Sequence, residues 1–508
     1  MNREKEERLE IESSEQEKNT QYKDLLKYTG LFGGVQGMNI ISSIVRNKLT
    51  ALLLGPAGLG VISLFNSVIV VLNNVSNLGI SFSGIRNLSN LTQEEDPQKM
   101  IGYIQVIRVW SILTALSGIC LCCLFAGRLS QWTFGNELYT SSFRWLSLVI
   151  GFTSLTGGEL AILKGMRRLR EVAISSVIAT FLSIFFVIPL YFFYRESAIV
   201  PALIGVSAIM LLSTFFYSLK VTPFRKSTFS FHNIKAGKSL VKLGISFVIA
   251  GTLGAITEYL IRTFILSHGS VDMVGIYNTG LVLCVSYMGM VFVAIDNDYF
   301  SKLSAINKDT SRSNELINNQ IELSVVLISP LIVGLLVFLP AVIRILYSSP
   351  FLDAMPMVEW AWVFMLLKGY NLSMAYVALS KGDSRTYLYI ELVGQVLYLL
   401  CSFFCFSFFG LAGLGMGMSL SAICETLILW GCISRKYHFR FTTGVLKVTF
   451  AFLPFLAFAF LLTRMSAIPE WFYWLSGTLS FLLSAMLSFY LLNKRADLLN
   501  TIRDKFRN

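Results

Sequence analysis

Apolar residues gather into fourteen stretches along this chain, near residues 24–54, 59–85, 101–126, 142–163, 172–193, 199–219, 240–266, 274–295, 321–346, 357–378, 387–409, 411–432, 448–462 and 471–492. Most reach the roughly 20 residues that carry an α-helix across a bilayer core. Inside a bilayer, only helices and closed barrels satisfy their own backbone. The pattern therefore predicts an all-α polytopic membrane protein with about 14 transmembrane helices. The thirteenth stretch is the shortest.

Polar positions inside these spans carry the second signal. On the first span Gln36, Asn39, Ser43, Arg46 and Thr50 recur three and four residues apart, which places them on one helical face. A charge at the centre of a span costs roughly 2.5–3.5 kcal/mol on insertion scales, so Arg46 is expected to face water, a counter-charge or a ligand. The second span continues the theme with Ser63, Asn66, Asn73, Asn77 and Ser81. Those amides suit either sugar hydroxyls or hydrogen bonds to neighbouring helices, and the pattern leaves both open.

Other buried charges divide the same way. Glu258 and Arg262 stand four apart on the seventh span and can pair. Such a pair either neutralises itself or exchanges partners when substrate or a proton enters. Lys368 falls near the centre of the tenth span, too deep to snorkel easily, and reads as a cavity cation or as the partner of Glu391 or Glu425. Lys48 and Arg108 lie nearer span ends, where snorkelling accounts for them. Glu159, Glu391 and Glu425 are candidate titrating groups, with Glu159, Glu425, Glu258 and Arg262 the candidates for coupling or gating.

Charge then orients the chain. Most of the 42 lysines and arginines fall in the tails and the even-to-odd loops, as in Lys164, Arg167, Arg168 and Arg170. Only Arg128, Arg144, Arg195, Arg262, Arg344 and Arg464 fall toward the other side. The positive-inside bias predicts both termini in the cytoplasm. The net charge of +12 is then topological and headgroup-directed, and nucleic acid is not an expected partner. With 54% hydrophobic residues and a mean hydropathy of +0.64, no soluble reading competes.

The polar stretch from Lys220 to Lys242 makes the main boundary. Ser63-Leu64-Phe65-Asn66-Ser67 and Gly275-Ile276-Tyr277-Asn278-Thr279 echo each other six spans apart, the mark of a parallel repeat. The expected organisation is a cytoplasmic tail (1–23), an N-lobe of helices 1–6 (24–220), a basic cytoplasmic linker (221–239) and a C-lobe of helices 7–12 (240–436). Residues 437–508 add two further helices and a cytoplasmic tail. The two six-helix lobes would surround a central cavity. Gly30, Gly33, Gly34 and Gly37 in span one, and Pro330 in span nine, supply either close packing or the bending that gating needs.

Several chemistries drop out. All eight cysteines lie in apolar spans, His232, His268 and His438 lie in or near loops, and no metal-ligand spacing forms. No metal and no cofactor are expected. The longer external connections offer only Glu137 and Asp353 for acid–base work, so an enzyme is not expected either. No GxxxxGK[ST] phosphate loop is present. What remains is a transporter with a cationic cavity. A cationic drug would call for carboxylates, whereas Arg46 beside sugar-binding amides suits a phosphate-linked glycan.

Two motifs place the chain. Leu54-Gly55-Pro56-Ala57-Gly58-Leu59-Gly60-Val61 followed by Ser63-Leu64-Phe65, and Val274-Gly275-Ile276-Tyr277 leading to Asp298-Tyr299-Phe300-Ser301-Lys302-Leu303-Ser304-Ala305-Ile306, resemble the Wzx-type O-antigen translocases. These are polysaccharide flippases of the multidrug/oligosaccharidyl-lipid/polysaccharide exporter superfamily, and the resemblance covers roughly residues 24–436. It implies movement of an undecaprenyl-diphosphate-linked oligosaccharide, an O-antigen or capsule repeat unit, from the cytoplasmic to the periplasmic leaflet by rocking of two lobes. Related lipid II flippases carry an arginine in the part of the first helix that Arg46 occupies. Family members commonly have twelve spans, so the last two here are a departure.

The expected mechanism has Arg46 and Lys368 holding the diphosphate while Gln36, Asn39, Ser43, Asn66, Asn73 and Asn77 meet the glycan. Expected partners are the lipid-linked oligosaccharide, membrane lipids, H+ or Na+ as coupling ion and a polysaccharide polymerase. The chain is expected in the bacterial inner membrane as a monomer, since one chain holds both lobes. The competing readings are a cation-coupled multidrug exporter of the same superfamily and a membrane glycosyltransferase or polymerase.

Overall fold

The computed structural model describes residues 2–93, 96–223, 237–306, 309–465 and 468–496, and every regular element among them is helical. In chain order these are α1 (Asn2–Asn77), α2 (Ile80–Gln93), α3 (Pro97–Phe134), α4 (Thr140–Gly165), α5 (Leu169–Tyr194) and α6 (Ile199–Val221). There follow α7 (Lys238–His268), α8 (Val271–Leu281), α9 (Met288–Ala305), α10 (Thr310–Leu346), α11 (Met355–Trp360), α12 (Trp362–Ser380), α13 (Ser384–Tyr437), α14 (Thr443–Arg464) and α15 (Glu470–Ala496). The segment read as an N-terminal tail is the start of α1.

Two of these rods are each two spans joined at a glycine. Gly55 (φ 64°, ψ −168°) and Gly410 (φ 56°, ψ −137°) occupy backbone conformations that side chains disfavour, and Pro56 removes a helix donor just after the first break. With these breaks, and the short 3₁₀ turn Arg195–Ala198 between α5 and α6, the described helices correspond to the fourteen apolar stretches. Ten described segments are long and apolar enough to cross a membrane, counting α5–α6 and α13 as one each. The chain is a multi-pass membrane protein. Its thirteenth stretch widens to the 22 residues of α14, and at about 1.5 Å per residue that suffices for a bilayer core.

The chain divides into two compact units: Met1–Leu53 with Ile69–Ile249, and Leu54–Val68 with Ala250–Asn508. In the first, α3 packs on α4, α4 on α2 and α6, and α5 on α6. Small residues set the spacing, since a β-carbon at Gly158 would overlap Ser111 and one at Gly165 would press on Leu88. A buried cluster of Ile80, Leu88, Ile104, Ile107 and Ile162 fills the space between α2, α3 and α4.

In the second unit, α12 packs on α13, and α10 carries α12, α14 and α15. The last two helices are held there by polar ties as well as apolar contact. Ser488 donates to the Val326 carbonyl (2.7 Å), Tyr473 to the Val337 carbonyl (3.0 Å), and Arg464 pairs with buried Glu359 (3.1 Å). The two motifs meet in this unit: Gly60 lies against the Val271 carbonyl and Gly275 against the Pro56 carbonyl, so close that neither position has room for a β-carbon. A π-helical turn, Val282–Tyr287, separates α8 from α9.

Candidate functional site

The expected site residues fall in both units. Arg46 belongs to the first, half-buried on α1 with Ser43 and Thr50. Its electrostatic neighbour is the phenol of Tyr191 on α5, and among the described residues it forms no ion pair. Gln36 and Asn39, the other members of its stripe, lie outside the described side chains, as do Gly30, Gly33, Gly34 and Gly37. The stretch just after Arg46 is tied down by Arg195, whose guanidinium donates to the Leu53 carbonyl at 3.1 Å, close to the break at Gly55.

The span-two amides take different roles. Asn66 is exposed. Asn73 accepts from Ser154 Oγ on α4 at 3.1 Å, and Asn77 donates to Ser81 at 3.3 Å. Two of the three amides therefore make the hydrogen bonds between and along helices that the pattern left open.

Arg108 departs from its expected place. It does not snorkel but is 3% exposed, with Nε and Nη2 donating to the two oxygens of Glu159 at 3.0 and 3.1 Å. Ser218 Oγ donates to the same carboxylate at 2.5 Å, and Nη2 also reaches the Thr222 carbonyl at 2.9 Å. A buried charge without a partner is costly, so an arginine and a glutamate on consecutive spans are each other's natural counter-ion. That reciprocity was the signal available in the sequence. Ser218 and Thr222 carried none.

The expected residues of the second unit fall into two polar groups. In the first, Arg262 Nη1 meets Glu258 Oε2 at 2.7 Å, as four-residue spacing predicts, and its guanidinium lies 5.6 Å from the Tyr277 ring centre. Arg262 also reaches Asn278 (3.4 Å), while Tyr277 and Tyr398 hydroxyls each donate to Glu258 (3.4 Å) and lie 3.1 Å apart. The pair thus ties α7 to α8 and α13.

The other group surrounds Lys368. Its side chain is exposed on α12, with Nζ 5.9 Å from the Phe364 ring centre, and it acts electrostatically on Glu425 without forming an ion pair among the described residues. Glu425 accepts from Asn371 Nδ2 at 3.0 Å, and Thr426 Oγ1 donates to Asn371 Oδ1 at 2.6 Å. Glu391, hydrogen-bonded to Gln395 at 3.1 Å, is a second electrostatic neighbour of Glu425. One cation, two carboxylates and two amides are thereby gathered from α12 and both arms of α13. Asn371 and Gln395 were not singled out by the sequence, because lone amides carry no spacing signal.

Outside the spans, Asp383 caps α13. It accepts from Thr386 N and Oγ1 (3.2 and 2.8 Å), from Tyr437 (2.7 Å) and from Lys436. The lysine, foremost among these donors, holds the carboxyl well below the usual carboxylate range.

Comparison with known proteins agrees with this architecture. The chain is 24% identical to the lipid III flippase of Escherichia coli strain K12 over 415 residues, 77% of this chain and 95% of that protein, and equally to the lipid III flippase of Shigella flexneri. Among solved structures it resembles the lipid II flippase MurJ in an inward closed conformation, with a TM-score of 0.71 and 16% identity over 92% of this chain and 99% of that one. It also resembles an inward-facing multidrug resistance MATE family transporter of the MOP superfamily (TM-score 0.64, 13% identity, 79% and 94% covered). At these identities the structural likeness speaks for the fold. The family model for polysaccharide biosynthesis proteins matches residues 49–356, well over half of the chain, and the chain belongs to that family.

Proposed function

We propose that this protein is a flippase that carries a diphosphate-linked lipid oligosaccharide, an O-antigen or capsule repeat unit, from the cytoplasmic to the periplasmic leaflet of the bacterial inner membrane. Family membership and the lipid III flippase relatives support a lipid-linked sugar as cargo. The observation that carries the anionic headgroup is Arg46: a half-buried guanidinium on an apolar helix, beside a phenol and with no carboxylate in ion-pair contact among the described residues. Two unit charges about 4 Å apart attract by roughly 4 kcal/mol at an effective dielectric near 20, enough to help draw a phosphate off the headgroup plane.

In this reading Lys368 assists with the headgroup, Ser43, Gln36, Asn39 and Asn66 meet sugar hydroxyls, Asn73 and Asn77 hold their helix through Ser154 and Ser81, and the lipid tail stays in the bilayer. The basic loops set both termini in the cytoplasm. The carboxylates Glu425 and Glu391 are the proposed seat of coupling to H+ or Na+. The protein acts as a monomer and delivers to a polysaccharide polymerase.

The test is surface glycan display in cells lacking this gene, complemented with wild type or Arg46→Ala at matched membrane expression. Loss of display with accumulation of lipid-linked repeat units, in both the deletion and the Arg46→Ala strain, supports the proposal. Full display in the Arg46→Ala strain overturns the headgroup role. Unchanged display in a deletion strain with no second flippase favours drug export, the activity of the MATE family whose fold this chain resembles.

A further inference from the structure

The outer end of span one is held by the last turn of α5. At Gly55 the helix breaks, and Pro56 brings no N–H, so the last carbonyls before the break lose helical donors. Arg195 supplies one in their place: its Nη1 donates to the Leu53 carbonyl at 3.1 Å. It does so from a backbone conformation (φ 51°, ψ −132°) that residues with a β-carbon rarely adopt. Strain of this kind persists where neighbouring contacts over-determine it.

Helical spacing carries that anchor inward. Tyr191 precedes Arg195 by one turn of α5, and Arg46 precedes Leu53 by two turns of α1, so each pair shares a helical face. At 1.5 Å per residue the two positions lie roughly 6 and 10 Å back from the anchor, an offset that the length of an arginine side chain covers. The Tyr191 phenol and the Arg46 guanidinium are accordingly electrostatic neighbours, and all four residues belong to the first unit.

Tyr191 differs from the aromatic residues that follow it. Phe192, Phe193 and Tyr194 are exposed, whereas Tyr191 is 4% exposed. Its hydroxyl makes no hydrogen bond among the described residues, although a buried phenol ordinarily finds a partner. Phenylalanine would fill the same space. A hydroxyl kept in a buried place, beside a guanidinium that forms no ion pair among the described residues, suits an anionic oxygen shared by the two groups.

We infer that Tyr191 is a second ligand of the headgroup that Arg46 binds, its O–H donating to a phosphate oxygen of the lipid diphosphate, and that Arg195 is a positioning residue which keeps Arg46 beside it through Leu53. The inference rests on the headgroup reading of Arg46 given above. It adds a neutral donor to the cation, so that the site grips a phosphate at two oxygens and not by charge alone.

The test titrates undecaprenyl diphosphate into the purified full-length protein in micelles. The proteins compared are wild type, Tyr191→Phe, Arg195→Ala, Arg195→Lys, Arg46→Ala, and Arg46→Ala combined with Tyr191→Phe or with Arg195→Ala. A hydrogen bond to a charged group supports a loss of about tenfold or more in affinity for Tyr191→Phe, with the unfolding temperature of the ligand-free protein unchanged. Arg195→Ala should weaken binding as well, and Arg195→Lys, which keeps a donor, should restore part of it. Neither change should weaken binding further once Arg46 is alanine, whereas a merely structural defect would persist there. Wild-type affinity in Tyr191→Phe, with Arg46→Ala weakened, removes the phenol from the site and leaves the Arg46 reading standing. Equal losses from Tyr191→Phe with and without Arg46 also overturn the shared site, and wild-type affinity in Arg195→Ala overturns the positioning role. Wild-type affinity in Arg46→Ala overturns the headgroup reading itself, and this inference with it.

Discussion

Arg108 and Glu159 meet in a two-bonded ion pair at 3.0 and 3.1 Å, inside a helical unit where both are nearly inaccessible. Removing one partner strands the other, at a cost of about 3–5 kcal/mol, whereas replacing both by apolar residues of similar volume is often neutral. Arg108→Ala should therefore lower the unfolding temperature of the purified protein sharply. Arg108→Met combined with Glu159→Leu should recover most of the loss. A double variant as unstable as the single one would show that the Thr222 and Ser218 contacts, not the pair, hold this corner together.

At Arg46 the expected effect is on cargo, not on folding. A charge-assisted hydrogen bond contributes about 1.5–3 kcal/mol, so Arg46→Ala should weaken binding of a lipid diphosphate roughly tenfold or more. Arg46→Lys keeps the charge but loses the planar fork and should fall between the two. Ligand-induced thermal shift with an undecaprenyl diphosphate in micelles checks this, and equal shifts in all three proteins would count against it.

Lys368 and Glu425 should behave as coupled neighbours. Groups in one network show interaction energies of about 0.5–3 kcal/mol in double-mutant cycles. Lys368→Ala and Glu425→Gln together should cost no more glycan display than the worse single change. Simple addition of the two losses would make them independent.

Three glycines separate tight packing from open space. A side chain at Gly60 or Gly275 would collide with the backbone of the opposing helix, and overpacking of this kind costs about 1–3 kcal/mol or more. Nothing lies within 4 Å of a β-carbon placed on Gly289 in α9, where alanine is a better helix former by about 1 kcal/mol. Gly60→Val and Gly275→Val should lose folded protein in membrane preparations, while Gly289→Ala should match or exceed wild type.

The Asp383 cap sets a pH dependence. Its carboxyl is depressed in the folded protein by Lys436, so the stability it contributes is present above the unfolded value of about 3.9 and fades as pH falls below that toward the folded value. Asp383→Asn keeps a capping oxygen but no charge. Wild type should be the more heat-resistant of the two at neutral pH, and the gap should narrow as the pH drops through about 4 toward 3. A gap that widens on acidification would reverse the sign of this account.

Much of the architecture was legible in the sequence because it is local. Span lengths answer to bilayer thickness, the breaks at Gly55 and Gly410 follow from glycine and proline backbone chemistry, and the Glu258–Arg262 bond follows from helical spacing. Arg46 was visible for the same reason, as a charge where hydrocarbon is expected. Tertiary structure alone decided who meets whom across long separations: Arg108 with Glu159 at 51 residues, Asn73 with Ser154 at 81, Lys436 with Asp383 at 53. It also turned two motifs read as separate signatures into one contact, where Gly60 and Gly275 let two backbones touch. A buried charge or amide announces in sequence that it needs a partner, but helix packing chooses which of several partners lies within reach.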